Sequence, residues 1–257
     1  MILHLTGKVA IVTGASKGIG CSIAQVLASE GMRLVLVARS RDRLNEVASS
    51  LQAESLVHVA DLRNPDEPEV IVSAAIKHFS QIDLLVNNAG ATKRGDFMTL
   101  LDADWADGFA LKFYGAMRLC RAAWPHLKQQ RGAIINIAGV GGRTGSAEFT
   151  IGGSVNAALL NLTKALADRG VIDGIRVNAI NPGAILTERL LTRVKSYAAE
   201  KGISEAEAPT GMAKTLNVAR FGKPEEIANM VAFLASPLTE YCQGGIIDID
   251  GGQTRTL

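Results

Sequence analysis

The chain has 257 residues, 47% hydrophobic and 20% charged, with 27 Lys and Arg against 25 Asp and Glu for a formal charge of +2. That composition excludes a predominantly disordered chain. A charge so near zero, without a run of five like charges, leaves no footprint for nucleic acid or an anionic membrane surface.

Short apolar runs punctuate the chain in order: VAIVT near Val9, RLVLVA near Leu34, SLVHVA near Val57, IDLLVN near Leu84, AIINIA near Ile135, IRVNAI near Val177 and IIDID near Ile247. They are continuous rather than alternating, which is the pattern of strands buried on both faces of a parallel sheet. The segments between them have helical period, as with Val155, Leu159, Leu162 and Leu166. Strand and helix alternate seven times, predicting an α/β doubly wound Rossmann fold with a seven-stranded parallel sheet, in one domain over residues 1–257. The least regular stretch, Leu186 to Arg220, follows the turn Asn181-Pro182-Gly183 and is expected to form a lid, about 186–220, over the carboxyl edge of the sheet. No apolar stretch approaches 18 residues and no secretory leader is recognisable, so a cytoplasmic location is expected. Cys21, Cys120 and Cys242 lack metal or redox spacing, and His4, His58, His78 and His126 are scattered, so no metal site is expected.

The first strand runs into Thr13-Gly14-Ala15-Ser16-Lys17-Gly18-Ile19-Gly20 and then a helix-forming segment. Glycines in that context let the backbone turn tightly and present helix N-terminal amides to a diphosphate. Together with Asp61 after the third strand, the NNAG of Asn87 to Gly90 and the NPG of Asn181 to Gly183, the turn resembles the classical short-chain dehydrogenase/reductase family across nearly the whole chain. The resemblance implies a nicotinamide dinucleotide, a small-molecule substrate, and a homo-tetramer or dimer built partly on helices beginning near Asp102 and Thr150. It further implies that Gly14, Ser16, Ile19 and Gly20 line the phosphates and that Asp61 and Leu62 flank the adenine. Asn88, Ala89 and Gly90 would back a ribose, and Pro182, Gly183, Ile185 and Thr187 would contact the nicotinamide half.

The choice of dinucleotide follows from charge. A site for NAD(H) places an acid after the second strand, where this chain has Ala38 followed by Arg39. With Lys17 in the glycine turn, two cations would attract a 2′-phosphate, so NADP(H) is expected over NAD(H).

The pattern breaks where the chemistry belongs. In the family, a Tyr donates a proton, a Lys four residues later acidifies it, a Ser polarises the carbonyl and an Asn holds a relay water. The corresponding positions here are Gly152, Asn156, Gly139 and Lys112. Misalignment does not restore the set, since no Tyr lies between Tyr114 and Tyr197 and no Ser between Ser80 and Ser146. Lys112 is expected to point into the pocket as acid, base or nucleophile; its alternative is to reach outward or pair with Glu148. Asn156 retains an amide that can bond ribose hydroxyls. Ser146, Glu148, Thr150, Ser154 and Arg143 surround the vacated position, and Tyr197 is a conceivable substitute phenol from the lid. Replacing Tyr by Gly is expected to enlarge the pocket. Three functions fit: an NADP(H)-dependent oxidoreductase with a non-standard site; a lyase, isomerase or hydrolase on the same scaffold; or a non-catalytic nucleotide-binding protein.

Overall fold

A computed structural model describes residues 1–256. Each apolar run forms a strand: β1 (Val9–Thr13), β2 (Arg33–Ala38), β3 (Ser55–Val59), β4 (Leu84–Asn87), β5 (Ala133–Ile137), β6 (Arg176–Pro182) and β7 (Ile246–Ile249). All pair in parallel in the order β3-β2-β1-β4-β5-β6-β7. The order reverses between β1 and β4, which opens a crevice at the carboxyl ends of those strands.

The continuous apolar runs are explained by burial on both faces. Ala10 and Val12, with Leu34, Leu36, Val86 and Ile135, face α1 (Gly18–Ser29) and α9 (Pro224–Ala235). Val9, Ile11, Val35, Val37 and Ile134 face the other way, toward α3 (Glu67–Phe79) and α5 (Gly115–Gln130). The remaining helices are α2 (Arg41–Ser50), α4 (Asp102–Gly108), α6 (Thr150–Asp173), α7 (Glu188–Lys201) and α8 (Ala208–Thr215). A buried polar chain ties the sheet centre to α6. Asn87 Nδ2 donates to Asn136 Oδ1 at 2.9 Å, and Asn136 Nδ2 donates to Thr163 Oγ1 at 2.9 Å. In an apolar interior such amides must find partners, so the chain also fixes the register of β4, β5 and α6.

The stretch over 186–220 is more regular than its composition indicates. It contains α7 and α8, and Leu190, Val194, Ala198, Ala208, Met212 and Phe221 form a small apolar cluster of their own. Thr187 caps α7 by accepting from Leu190 N at 3.4 Å, and Gly202 ends the helix at φ +62°. Among the described residues no helix is long and apolar enough to cross a membrane, and no group of three His, Cys, Asp or Glu could hold a metal.

Candidate active site

The nucleotide side is built from the β1–α1 turn. Gly14 has φ +67°, and a side chain at Gly20 would collide with the Gly14 carbonyl, so the turn can close only with glycine at both positions. Thr13 Oγ1 accepts from Asn88 N at 2.9 Å and Ala89 N at 3.0 Å, while Asn88 Nδ2 donates to Thr13 O at 2.9 Å. These bonds lock the ends of β1 and β4 together. No side chain caps the start of α1, so its first amides remain open to an anion, and Ser16, Ile19 and Gly18 border that opening. The cradle therefore fits a dinucleotide diphosphate.

The charges around this cradle are more interlinked than expected. Lys17 Nζ lies 2.7 Å from Glu188 Oε2, and Arg43 Nη1 reaches the same carboxylate at 3.2 Å. Hydrogen bonds from Lys17 and then Arg43 lower the Glu188 pKa. Arg39 Nη1 stands 3.8 Å from Asp61 Oδ2, which is held more closely by Arg63 at 3.1 Å. Burial raises the Asp61 pKa, but the Arg63 hydrogen bonds and the Arg63 and Arg39 charges outweigh it. The sequence pattern points to Lys17 and Arg39 but not to Arg43, in the first turn of α2, or to Glu188, the acid that gathers Lys17 and Arg43. The Leu62 side chain is buried in the core, and a Cβ at Gly115 would approach it at 3.0 Å. Only the Leu62 backbone is left to border a base. Pro182 and Ile185 are buried, Gly183 packs tightly against Asp250, and Thr187 leans over Gly18.

On the chemical side, Gly139 sits at φ +145° directly after β5, and its N–H donates to Asn181 Oδ1 at 3.1 Å. Asn181 Nδ2 in turn donates to Asp248 Oδ1 at 2.9 Å. Asn156 is 3% exposed; its Nδ2 faces the turn at Gly139, and its Oδ1, a buried acceptor, has no hydrogen-bond partner. Lys112 lies in a π-helical turn, Phe109–Tyr114, between α4 and α5. Such turns re-aim one side chain out of the helical register. Lys112 points inward: its stem packs on Gly90 and its Nζ donates to Ala138 O at 2.6 Å. Burial, with the Arg189 charge nearby, brings the Lys112 pKa down to about 7. It does not pair with Glu148.

Two expectations are corrected. The pocket beside Gly152 is not enlarged, because the Phe149 ring occupies the space where a side chain at Gly152 would stand, and it also presses on Gly141. Tyr197 is not poised over the site; its hydroxyl is 3.4 Å from Thr215 Oγ1 and its ring lies against Gly211, inside the α7–α8 cluster. Arg143 forms a salt bridge with Asp248 at 3.0 Å. Three arginines missed by the sequence reading gather at the mouth. The Arg94 guanidinium lies 4.1 Å from the Phe149 ring centroid, Arg189 Nη2 donates to Gly90 O at 2.7 Å, and Arg193 follows one turn along α7. The i, i+4 spacing of Arg189 and Arg193 just after a helix cap was the available signal.

Comparison with known proteins agrees with this geometry. Residues 14–254 match the family model described as enoyl-(acyl carrier protein) reductase. The chain is 32% identical over 251 residues to a 3-oxoacyl-[acyl-carrier-protein] reductase of Vibrio cholerae, covering 97% of this chain and 98% of that one. It is 34% identical over 253 residues to the Staphylococcus aureus enzyme of the same name, covering 95% and 97%. Among solved structures, L-sorbose reductase from Gluconobacter frateurii, complexed with NADPH and L-sorbose, superposes with a TM-score of 0.95 at 34% identity over the whole of both chains. Levodione reductase gives 0.90 at 30% identity, covering 96% of this chain and 98% of that one. A reversed strand order at β1 and β4, a glycine cradle locked by Asn88 and a match running almost end to end make this chain a member of the classical short-chain dehydrogenase/reductase family of oxidoreductases.

Proposed function

We propose that this protein is an NADP(H)-linked oxidoreductase acting on a carbonyl or alcohol, with Lys112 in place of the family's tyrosine as proton carrier. The observation that carries the reading is the enclosed Lys112 ammonium, anchored on Ala138 O beside Gly139 with a pKa near 7. A group that titrates there exchanges protons in both directions at neutral pH, which is what an acid–base catalyst requires. Gly139 and Gly152, standing where the resemblance places the carbonyl-polarising Ser and the Tyr, offer no side chain for the task.

When bound, the dinucleotide supplies the hydride in reduction and accepts it in oxidation. Gly14, Ser16, Lys17, Ile19 and Gly20 would hold its phosphates, Asp61, Leu62, Asn88, Ala89 and Gly90 its adenosine, and Pro182, Gly183, Ile185 and Thr187 its nicotinamide half. The orphaned Asn156 Oδ1 would accept from a ribose hydroxyl. The preference for the phosphorylated form rests on the absence of an acid after β2 and on Lys17, Arg39 and Arg43. As the substrate carbonyl carbon gains hydride, its oxygen gains charge. Lys112 gives that oxygen a proton and is left as the neutral amine, which solvent reprotonates. The stretch over 186–220 is read as the lid, since α7 brings Thr187, Glu188 and Arg189 to both sides of the crevice.

The direct test is to follow nicotinamide absorbance while NADPH and a broad panel of carbonyl compounds are mixed with the protein. Oxidation that disappears in Lys112→Met, with NADPH binding retained, is the expected result. Turnover of any panel compound without nicotinamide oxidation would instead identify a lyase, isomerase or hydrolase. The closing of the Gly152 space by Phe149 favours one further reading, a dinucleotide-binding protein without chemistry. Binding of NADPH with no turnover across the panel would establish it. A competition titration in which NADH binds more tightly than NADPH would overturn the cofactor assignment.

A further inference from the structure

Resting on the carbonyl oxidoreductase reading above, we propose that the cleft beside Phe149 selects substrates that carry an anionic group, a carboxylate or a phosphate ester, held by Arg94, Arg189 and Arg193. These residues come from distant parts of the chain. Arg94 lies in the loop after β4, whereas Arg189 and Arg193 lie one turn apart on α7. Folding brings them to one mouth, where Arg94 stacks over Phe149 and Arg189 is anchored on Gly90 O.

The Arg193 and Arg189 charges act on Arg94, with Arg94 and Arg189 exposed and Arg193 half-buried. Removal of the charged end from water, followed by the Arg193 and Arg189 charges, holds the Arg94 pKa below its ordinary value, and only Glu148 opposes this. Desolvation does the same to Arg189 and Arg193. Several other arginines pair with carboxylates, Arg43 with Glu188, Arg63 with Asp107, Arg169 with Asp173 and Arg220 with Glu226, while the half-buried Arg176 is satisfied by Leu234 O, Ala235 O and Thr239 Oγ1. Among the described residues Arg94, Arg189 and Arg193 form no salt bridge. Arg189 spends one N–H on a backbone oxygen, and the forks of Arg94 and Arg193 are uncommitted to any carboxylate.

A cavity of about 600 Å³ opens beside Arg94, bordered by Phe97, Glu148 and Thr150. That is the size range of small-molecule sites. Thr150 Oγ1 is buried at its edge with no hydrogen-bond partner, a second group waiting for a ligand atom. Of the two acids bordering the cavity, Asp96 accepts from Met98 N at 3.0 Å, and Glu148 acts on Arg94 and Arg193. Planar guanidinium forks match the two oxygens of a carboxylate or phosphate, and such charge-assisted bonds are stronger than neutral ones. Arg189 stands near enough to lower the Lys112 pKa, so an anion held at this mouth places the rest of a small molecule next to the proton carrier.

The test is isothermal titration of the protein, free and saturated with NADP+, with two matched pairs of carbonyl compounds: 2-oxoglutarate against its dimethyl ester, and dihydroxyacetone phosphate against dihydroxyacetone. At least one charged member should bind tenfold or more tighter than its neutral counterpart, and which pair does so separates carboxylate from phosphate recognition. Arg94→Gln and Arg193→Gln should each weaken that binding at least tenfold while the Kd for NADP+ and the Tm stay within error. Equal affinity of charged and neutral members, absence of binding by both charged compounds, or unchanged affinity in both variants would overturn the proposal. The outcomes remain separable from the redox reading. Charge discrimination without dinucleotide binding removes the oxidoreductase and keeps the anion site. NADPH oxidation indifferent to substrate charge does the opposite.

Discussion

The two ends of the crevice are built in contrasting ways. At the β1–α1 end the decisive atoms belong to the backbone, and side chains such as Asn88 and Thr13 serve to hold that backbone in shape. At the β5–α6 end the decisive atoms would be side chains, and there the chain has Gly139, Gly152 and the filling ring of Phe149. A cradle made of main chain tolerates divergence as long as its glycines and anchors stay. A catalytic constellation made of side chains is lost or rebuilt one residue at a time, and the proposed role of Lys112 would be such a rebuilding.

That contrast can be broken most severely at Lys112. Lys112→Met should lower turnover by about a hundred- to ten-thousand-fold, the usual cost of losing a positioned acid–base group. Its NADPH affinity, measured by fluorescence titration, should be nearly unchanged. In the wild type, the reduction rate should fall as pH rises through about 7, because the ammonium that donates the proton is then lost. Gly20→Val attacks the other end, since its side chain enters the space of Gly14 O and Asn88 Nδ2. NADPH binding should weaken by at least about a hundredfold, because the amide cradle that grips the diphosphate opens.

Phe149→Ala asks whether the ring at the chemical end is structural. Emptying its place beside Gly141 and Gly152 should cost about 2 kcal/mol in urea unfolding, below the full core value because the ring is only half-buried. Gly152→Tyr alone should destabilise by collision, and Phe149→Ala in the same chain should relieve it. A comparable effect concerns Lys112 and stability. Its folded pKa is depressed from 10.5 to about 7, so between those values the unfolded chain binds a proton that the folded protein has released. Stability therefore rises with pH across that window, and the full penalty is present below it. The unfolding free energy of Lys112→Met minus that of wild type should thus shrink by about 1–3 kcal/mol from pH 7 to 10.

The sheet was legible because burial on two faces writes itself locally, as uninterrupted runs such as Val9–Thr13 and Ala133–Ile137. The glycine turn was legible for a similar reason, since its constraints lie within eight consecutive residues. Phe149 and the arginines were not. Which ring fills the space beside Gly152, and whether Arg94 meets Arg193, depend on contacts between segments far apart in the chain, for which apolar spacing carries no signal. Lys112 lies in a π-helical turn, which leaves no mark in the sequence pattern. The stretch over 186–220 reads as irregular because its helices bury one side only, on each other, and so lack the density of apolar residues found in α1 or α9.

The opening of α7 has a thermodynamic consequence. Within three residues, Thr187 rests on Gly18, Glu188 clasps Lys17 and Arg43, and Arg189 grips Gly90 O. A perturbation of one grip is transmitted to the others through a single rigid rod. The energies of Lys17→Gln and Arg189→Gln should therefore be non-additive, with an interaction energy of about 0.5 kcal/mol or more in a double-mutant cycle despite the absence of direct contact between the two side chains.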